Sequence, residues 1–191
     1  MRLFTAIAVP AAQRHALLRQ LASGPALPVA ARWTACAQWH LTLRFIGEVD
    51  EEQCAAICRA LGGVRAAPLR LRLRGMGSFG GGAVLWCGVQ EEKAGQGGGH
   101  SSLQALHTAV QAALARAGVP PEARRFTPHL TLARLRRPLP PPNALRAWLA
   151  AHAALASTPF PVRRFALYRS ELHRSGARHF EVQSWALGND K

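Results

Sequence analysis

One tetrapeptide occurs twice in this chain, and the repeat constrains the fold more than any other feature of the sequence. The two copies are His40-Leu41-Thr42-Leu43 and His129-Leu130-Thr131-Leu132. Alternate residues of a β-strand project from the same face. Each copy therefore predicts a strand that presents an imidazole and a hydroxyl on one face and anchors two leucines in the core on the other. Two such strands predict two related halves whose histidines face one cleft.

The residue types in the repeat suit acid–base chemistry on a phosphoester. An imidazole titrates at about pH 6.5, so a pair of them can act as general acid and general base at neutral pH. Threonine hydroxyls donate hydrogen bonds to phosphate oxygens, and arginine balances phosphate charge. A single histidine on a strand is usually structural, but two identical copies, each followed by apolar residues and arginine, favour a catalytic pair.

Hydrophobic periodicity predicts a mixed order of strands and helices. Strands are predicted over residues 2–9, 69–74, 83–89, 125–135, 160–169 and 178–187, with an extended segment over 32–47. Helices are predicted over 11–21, 50–61 with Asp50 as N-cap, 103–114 and 144–155, and a flexible loop over 93–102. This order predicts an α+β fold with largely antiparallel sheets and helices packed outside them, in a single domain over 1–191. Residues 2–9 are expected to be a strand of that fold rather than a signal peptide.

The composition indicates the class of partner. Lysine and arginine number 24 against 10 aspartates and glutamates, which gives a formal net charge of +14, and nearly all of the basic residues are arginine. Such a charge suits an anionic partner such as RNA. Hydrophobic residues make up 49% of the chain, which excludes a disordered protein, and the chain contains no apolar run of about 18 residues that would predict a membrane span.

The cysteines and the other histidines do not form a metal motif. Four cysteines predict reduced thiols in a cytoplasmic protein: Cys36, Cys54, Cys58 and Cys87. The remaining histidines lack metal-ligand spacing: His15, His100, His107, His152, His173 and His179. Of the acidic residues only Glu48 lies near a motif, so no carboxylate cluster for Mg²⁺ is predicted. We therefore expect chemistry that uses no metal and no cofactor.

The flanks of the two motifs extend the pattern over most of the chain. They cover residues 40–49 and 126–134, with further stretches at 2–10, 75–79, 84–86 and 170–172. On these residues the chain resembles the two-histidine (2H) phosphoesterase superfamily. It looks most like the bacterial and archaeal RNA 2',3'-cyclic phosphodiesterases, also called 2'-5' RNA ligases.

The resemblance implies a bilobal fold with pseudo-two-fold symmetry, in which two largely antiparallel sheets line a central cleft. It implies hydrolysis of RNA 2',3'-cyclic phosphate ends to a 2'-phosphate. His40 would be the proton donor to the leaving 3' oxygen, His129 the proton acceptor from the attacking water, and Thr42 and Thr131 would hold the phosphate. From the residues alone the two histidines are interchangeable, because the two halves are related.

Four further residues are candidates for substrate binding. Arg134 matches the arginine that follows the second motif in the family, although it needs a bulge or a strand end to share a face with His129. Arg44 has the same strand parity as His40. Phe4 and Trp33 are aromatic residues that could stack on a base, which is worth about 1–3 kcal/mol, although core packing is the commoner role of such residues.

Other functions fit the same motifs. A 2H enzyme could act on small cyclic nucleotides or ADP-ribose derivatives, or ligate RNA halves through a 2'-5' bond, since ligation is the reverse of cleavage at the same site. A different class of protein would be a non-catalytic module that binds RNA ends, but binding alone does not need two titrating imidazoles. We expect a monomer that recognises an RNA end with little preference for sequence, since no base-reading motif is present.

Overall fold

The computed structural model of the chain describes residues 1–92, 102–173 and 176–188, and mixes strands and helices in the predicted manner. The strands are β1 (Arg2–Ala8), β2 (Ala31–Trp33), β3 (His40–Glu48), β4 (Leu69–Phe79), β5 (Val84–Glu91), β6 (His129–Leu135), β7 (Phe160–Val162), β8 (Arg164–His173) and β9 (Gly176–Ala186). The helices are α1 (Ala11–Ser23), α2 (Glu51–Gly62), α3 (Ser102–Arg116) and α4 (Pro142–Ala151).

Local sequence signals account for the helix ends. The helix predicted after Pro10 is present as α1. Asp50 caps α2 as predicted, since its carboxylate accepts a hydrogen bond from the backbone N–H of Gln53 at 2.7 Å. The helix predicted over 144–155 begins earlier, at Pro142, because proline is well tolerated in the first helical turn. It ends at Ala151, and the residues that follow run beside β4.

Two of the predicted strands have different bounds. The strand predicted over 125–135 begins only at His129, because Pro128 directly before it has no N–H to donate to a ladder. The strand predicted over 160–169 is two strands, β7 and β8, separated by Arg163. The predicted loop over 93–102 lies outside the described residues, apart from Ser102, which begins α3.

Within the described residues the strands form one antiparallel sheet. Its order is β7-β4-β5-β6-β3-β1-β8-β9, and β2 pairs with β6. The motif strands β3 and β6 lie at the centre and pair at Leu41 and Leu130. Each motif strand begins one half of the sheet, β3-β1-β8-β9 or β6-β5-β4-β7. The α+β class is thus confirmed, and the two antiparallel sheets that the resemblance implies are joined into one sheet at this pair.

The sheet is strongly curled. β7 lies at one end of the strand order and β8 lies near the other end, yet Arg163 alone separates them in the chain. The backbone N–H of Leu187, just after β9, donates to the carbonyl of Arg163 at 2.7 Å, so the last strand also ends near this point. Because the sheet curls, residues from both of its halves pack into the same core.

The core covers one face of the sheet, which we call the helix face. All four motif leucines are buried there, together with residues of α2 and α3 such as Ile57 and Leu106. A second, smaller cluster lies under α4 and contains Leu85, Ala133 and Trp148. The opposite face carries His40 and His129, and we call it the histidine face. Among the described residues, no helix has the length and apolar character needed to cross a membrane.

Candidate active site

The two motif histidines are held in the same way, each as the first residue of its strand. Nδ1 of His40 lies 2.7 Å from the carbonyl oxygen of Gln38, and Nδ1 of His129 lies 2.7 Å from that of Thr127. A carbonyl oxygen only accepts hydrogen bonds, so each Nδ1 carries a hydrogen. Nε2 of each ring is therefore the atom left to accept or donate a proton in a reaction.

The pairing of β3 with β6 brings the two motifs together. Because the strands are antiparallel and pair at the first leucine of each motif, the histidine of one motif lies opposite the threonine of the other. His40 and His129 are then diagonal neighbours, roughly 7–8 Å apart in regular antiparallel geometry. Two imidazoles and two hydroxyls thus share one small area of the histidine face.

The segments that lead into the motifs are fixed by aromatic residues. Trp39 is buried directly before the first motif and donates its Nε1–H to the carbonyl of Thr34 at 3.0 Å. Before the second motif, the ring of Phe126 stacks on His107 of α3 with centroids 4.0 Å apart. These contacts hold the carbonyl groups that orient the two imidazoles.

Each motif strand has a β-bulge directly after its threonine. The extra residue is Leu43 in β3 and Leu132 in β6. A bulge shifts the alternation of side chains by one position. The residue that returns to the histidine face is therefore the fifth after each histidine, Phe45 in one half and Arg134 in the other, and both are exposed.

Arg44 is not on the histidine face, contrary to the prediction from parity. The bulge turns it to the helix face, where it is 8% exposed. Its Nη1 donates to Oε2 of Glu122 at 2.8 Å, and its Nη2 donates to the carbonyl of Pro120. Burial opposes ionisation of Glu122, yet hydrogen bonds from Arg124 and Arg44 lower the pKa of that carboxyl. Arg44 therefore fastens the segment that precedes the second motif.

Arg134 is on the histidine face because the bulge that its placement required is present. In β2, Arg32 pairs with Arg134 and shares that face, and its guanidinium lies beside Gly176, the first residue of β9. A role for Arg134 in binding substrate stays a prediction. Arg32 is an additional cation that sequence parity did not single out.

Trp33 does not point toward the motif histidines. It pairs with Ala133, whose side chain is buried in the core cluster under α4. Residues paired in an antiparallel ladder share a face, so Trp33 lies on the helix face, where it is 45% exposed at the edge. The register therefore places Trp33 away from the motif histidines, and a role for it in stacking on a substrate base stays a prediction.

Phe4 lies in the site, but in a packed position. It is 3% exposed, and its ring stacks on Tyr168 with centroids 5.4 Å apart and contacts His40 at 4.8 Å. Because so little of its surface is exposed, Phe4 packs against the His40 imidazole and helps to hold that ring in place. In the other half, the ring of Phe79 from β4 lies edge-on to the ring of His129, with centroids 4.9 Å apart. The more exposed ring beside Phe4 is Phe45, at 56% exposure and 6.0 Å.

A third imidazole lies beside His40. His179 of β9 meets the His40 ring edge-on at 5.2 Å, whereas the corresponding neighbour of His129 is Trp86 at 6.4 Å. Burial above all, together with the nearby His179 and His129, lowers the pKa of His40 to about 4 against the opposing effect of the hydrogen bond to Gln38. Burial also lowers the pKa of His179. In the free protein the His40 ring is therefore neutral at neutral pH.

His179, Phe45 and Tyr168 were not identified from the sequence. Tyr168 and His179 come from the last hairpin, and only the pairing of β8 with β1 brings that hairpin beside the first motif. Phe45 depends on the bulge. A signal was available for Trp86, since it alternates with the buried residues Leu85 and Cys87 and so had to lie on the open face of β5.

The arrangement provides the parts of an acid–base site for a phosphoester. Two Nε2 atoms approach one area from opposite halves, with a hydroxyl beside each and Arg134 at the margin. Among the described residues, no three His, Cys, Asp or Glu side chains are grouped in a way that would hold a metal ion.

Comparison with known sequences agrees with this arrangement. The sequence matches the family model of the 2'-5' RNA ligase superfamily over residues 9–174, a range that includes both motifs. The chain belongs to the 2'-5' RNA ligase superfamily.

Relatives in the superfamily cover the chain to different extents. An RNA 2',3'-cyclic phosphodiesterase of Escherichia coli is 30% identical over 97% of this chain and 96% of its own length. One from Aeropyrum pernix is 40% identical, but over 51% of this chain, and the chain spans only about half the length of that relative, 53%. The crystal structure of E. coli LigT complexed with 3'-AMP superposes with a TM-score of 0.75 at 28% identity and covers 98% of both chains.

Proposed function

We propose that this chain hydrolyses 2',3'-cyclic phosphate ends of RNA to leave a 2'-phosphate. The observation that carries the proposal is the pair of imidazoles whose Nδ1 atoms are both fixed by carbonyl groups 2.7 Å away, which leaves both Nε2 atoms for proton transfer. The relatives from E. coli and Aeropyrum pernix are RNA 2',3'-cyclic phosphodiesterases, which supports the same substrate.

The reaction requires one base and one acid. In the proposed assignment Nε2 of His129 accepts a proton from water as the water oxygen attacks phosphorus. The bond between phosphorus and the 3' oxygen breaks, and Nε2–H of His40 donates its proton to that oxygen. The products are a 2'-phosphate and a 3'-hydroxyl, and the two imidazoles have exchanged protonation states. Thr42 and Thr131 donate to the non-bridging oxygens as charge develops.

The low pKa of His40 sets a condition on this assignment. A pKa of about 4 means that the ring is neutral in the free enzyme at neutral pH. A phosphate monoanion beside the ring favours the charged form and raises its pKa. His40 would therefore take up its proton together with the substrate, and Arg134 at the margin would balance the remaining negative charge.

We propose that a single copy acts alone in the cytoplasm. Both motifs come from one chain, so the site is complete without a second copy. The four cysteines are free thiols in the structure, which suits a reducing compartment.

The direct test is hydrolysis of a 2',3'-cyclic nucleotide in the presence of EDTA. We expect full activity and a 2'-phosphate product, because the proposed acid and base are side chains. Loss of activity on chelation that a divalent ion restores would contradict the mechanism. Tight binding of the cyclic phosphate without turnover would favour the non-catalytic alternative.

A further inference from the structure

A row of arginines lies on the histidine face at the far side of the His129 half. Arg70, Arg72 and Arg74 alternate along β4 with three leucines that are fully or almost fully buried. Alternation therefore places the three guanidinium groups on the face opposite the core, which is the face that carries His129.

Gly88 lies between this row and the catalytic pair. It pairs with His129 on one side of β5, and on the other side its Cβ position would lie 2.6 Å from the carbonyl oxygen of Arg74. Position 88 thus has no room for a side chain, and the ring of Trp86 lies beside it, with Cζ3 3.7 Å from that Cβ position. Two strand spacings separate His129 from Arg74, roughly 10 Å, a distance that one nucleotide and an extended arginine can bridge.

The charge of the row is largely unneutralised. Arg72 pairs with Glu92 at 2.8 Å, but within the described residues no ion pair is found for Arg70 or Arg74. The His40 half is different in its charge, because Arg164 of β8 is paired with Glu181 of β9 at 2.7 Å. The capacity to bind further phosphates therefore lies on the His129 side.

We propose that the RNA strand on the 5' side of the cyclic phosphate crosses Gly88 and lies along the arginine row of β4, with its backbone phosphates on Arg74 and Arg70. This inference rests on the proposed function and names the surface that binds the body of the substrate. A planar guanidinium matches phosphate oxygens in a bidentate way. Contacts of this kind bind the backbone without reading the sequence.

The test compares two double variants that remove the same charge. Arg70→Gln with Arg74→Gln removes the free members of the row and spares the Arg72–Glu92 ion pair. Arg19→Gln with Arg116→Gln is the matched control, since both residues are exposed on helices, α1 and α3. Binding is measured by fluorescence anisotropy with a single-stranded RNA of about twelve nucleotides that ends in a 3'-phosphate, at several salt concentrations.

We expect the β4 variant to bind this RNA about 10-fold more weakly at about 0.1 M salt. The slope of log affinity against log salt should become shallower by about 1.4, since a single-strand phosphate contact contributes about 0.7. The control variant should bind like the wild type. Equal weakening in both variants, or none in the β4 variant, would overturn the inference.

A second measurement separates this inference from the proposed function. A nucleoside 2',3'-cyclic phosphate has no second phosphate for the row to bind, so the β4 variant should hydrolyse it at the wild-type rate. A wild-type protein that does not hydrolyse it would contradict the proposed function, and the anisotropy result would still decide whether the row binds RNA. A large loss on the mononucleotide in the β4 variant would place these arginines in the catalytic site and overturn the inference.

Discussion

The two halves of the sheet carry the same tetrapeptide in the same local geometry but surround it differently. In both, the histidine begins its strand, donates from Nδ1 to a carbonyl 2.7 Å away, and contacts a phenylalanine ring at 4.8 or 4.9 Å. In both, a bulge follows the threonine. The tetrapeptide and its immediate neighbours therefore build the same pair of functional groups twice.

The surroundings differ at the positions that the bulge creates. The fourth residue after the histidine is Arg44 in one half, ion-paired on the helix face, and Ala133 in the other. The fifth is Phe45 in one half and Arg134 in the other, both on the histidine face. The comparison teaches that the local motif sets the orientation of the imidazoles, whereas tertiary neighbours set the charge and polarity around each one.

The first prediction tests whether the two halves bind the phosphate equally. Thr42→Ala and Thr131→Ala should each lower kcat by about 10-fold to 10³-fold, because each removes a donor that matters most as charge develops in the transition state. Thr→Ser at the same positions keeps the hydroxyl and is the control. Wild-type kcat in both alanine variants would show that the hydroxyls do not contact the reacting phosphate.

The second prediction concerns the different environments of the two histidines. With a folded pKa of about 4 and an unfolded value of about 6.5, His40 is protonated first in the unfolded chain. The free energy of unfolding should therefore fall as pH falls from about 6.5 to about 4, by roughly 3 kcal/mol from this residue.

Denaturant unfolding of variants isolates that contribution. His40→Gln should lose most of this pH dependence, whereas His129→Gln, the matched change in the other half, should retain it. Identical pH dependence in the wild type and both variants would mean that burial does not depress the pKa of His40.

The third prediction, which has the smallest expected effect, distinguishes a structural role of Arg44 from a binding role of Arg134. Arg44→Met should lower the free energy of unfolding by roughly 1–3 kcal/mol, because it removes hydrogen bonds to Glu122 and Pro120, and should leave KM nearly unchanged. Arg134→Met should do the reverse, raising KM while leaving stability within about 0.5 kcal/mol. A higher KM in the Arg44 variant at unchanged stability would indicate instead that Arg44 binds the substrate.

The geometry of each motif could be predicted from the sequence, but the residues that surround it could not, and the reason is physical. Strand alternation and apolar anchoring are local, so the buried motif leucines and the shared face of His40 and Thr42 could be predicted from four residues. A bulge depends on which strand lies alongside, and it moved Arg44 to the helix face while it brought Arg134 to the histidine face.

Register and curl are also tertiary properties. The face of Trp33 is set by its pairing with Ala133, which no local pattern encodes. His179 was missed because the last hairpin reaches the first motif only through pairing of β8 with β1. The break at Arg163 likewise reflects the curl of the sheet, since the chain there passes from one half to the other.

The central claim is that one imidazole acts as acid and the other as base. On a 2',3'-cyclic nucleotide, His40→Ala and His129→Ala should each lower kcat by roughly 10²-fold to 10⁴-fold. This loss alone does not separate the two roles. With a ribose oxygen as leaving group, the reaction needs both proton transfers, one from the attacking water and one to the leaving oxygen.

The decisive measurement is kcat for the same two variants on a phosphodiester whose leaving group is far more acidic than a ribose oxygen, such as a nitrophenolate. Such a group departs without a proton, so a variant that lacks only the acid should recover. We predict partial rescue of His40→Ala and no rescue of His129→Ala. Rescue of His129→Ala alone would reverse the assignment, and full activity of either variant on the cyclic nucleotide would contradict the two-histidine mechanism itself.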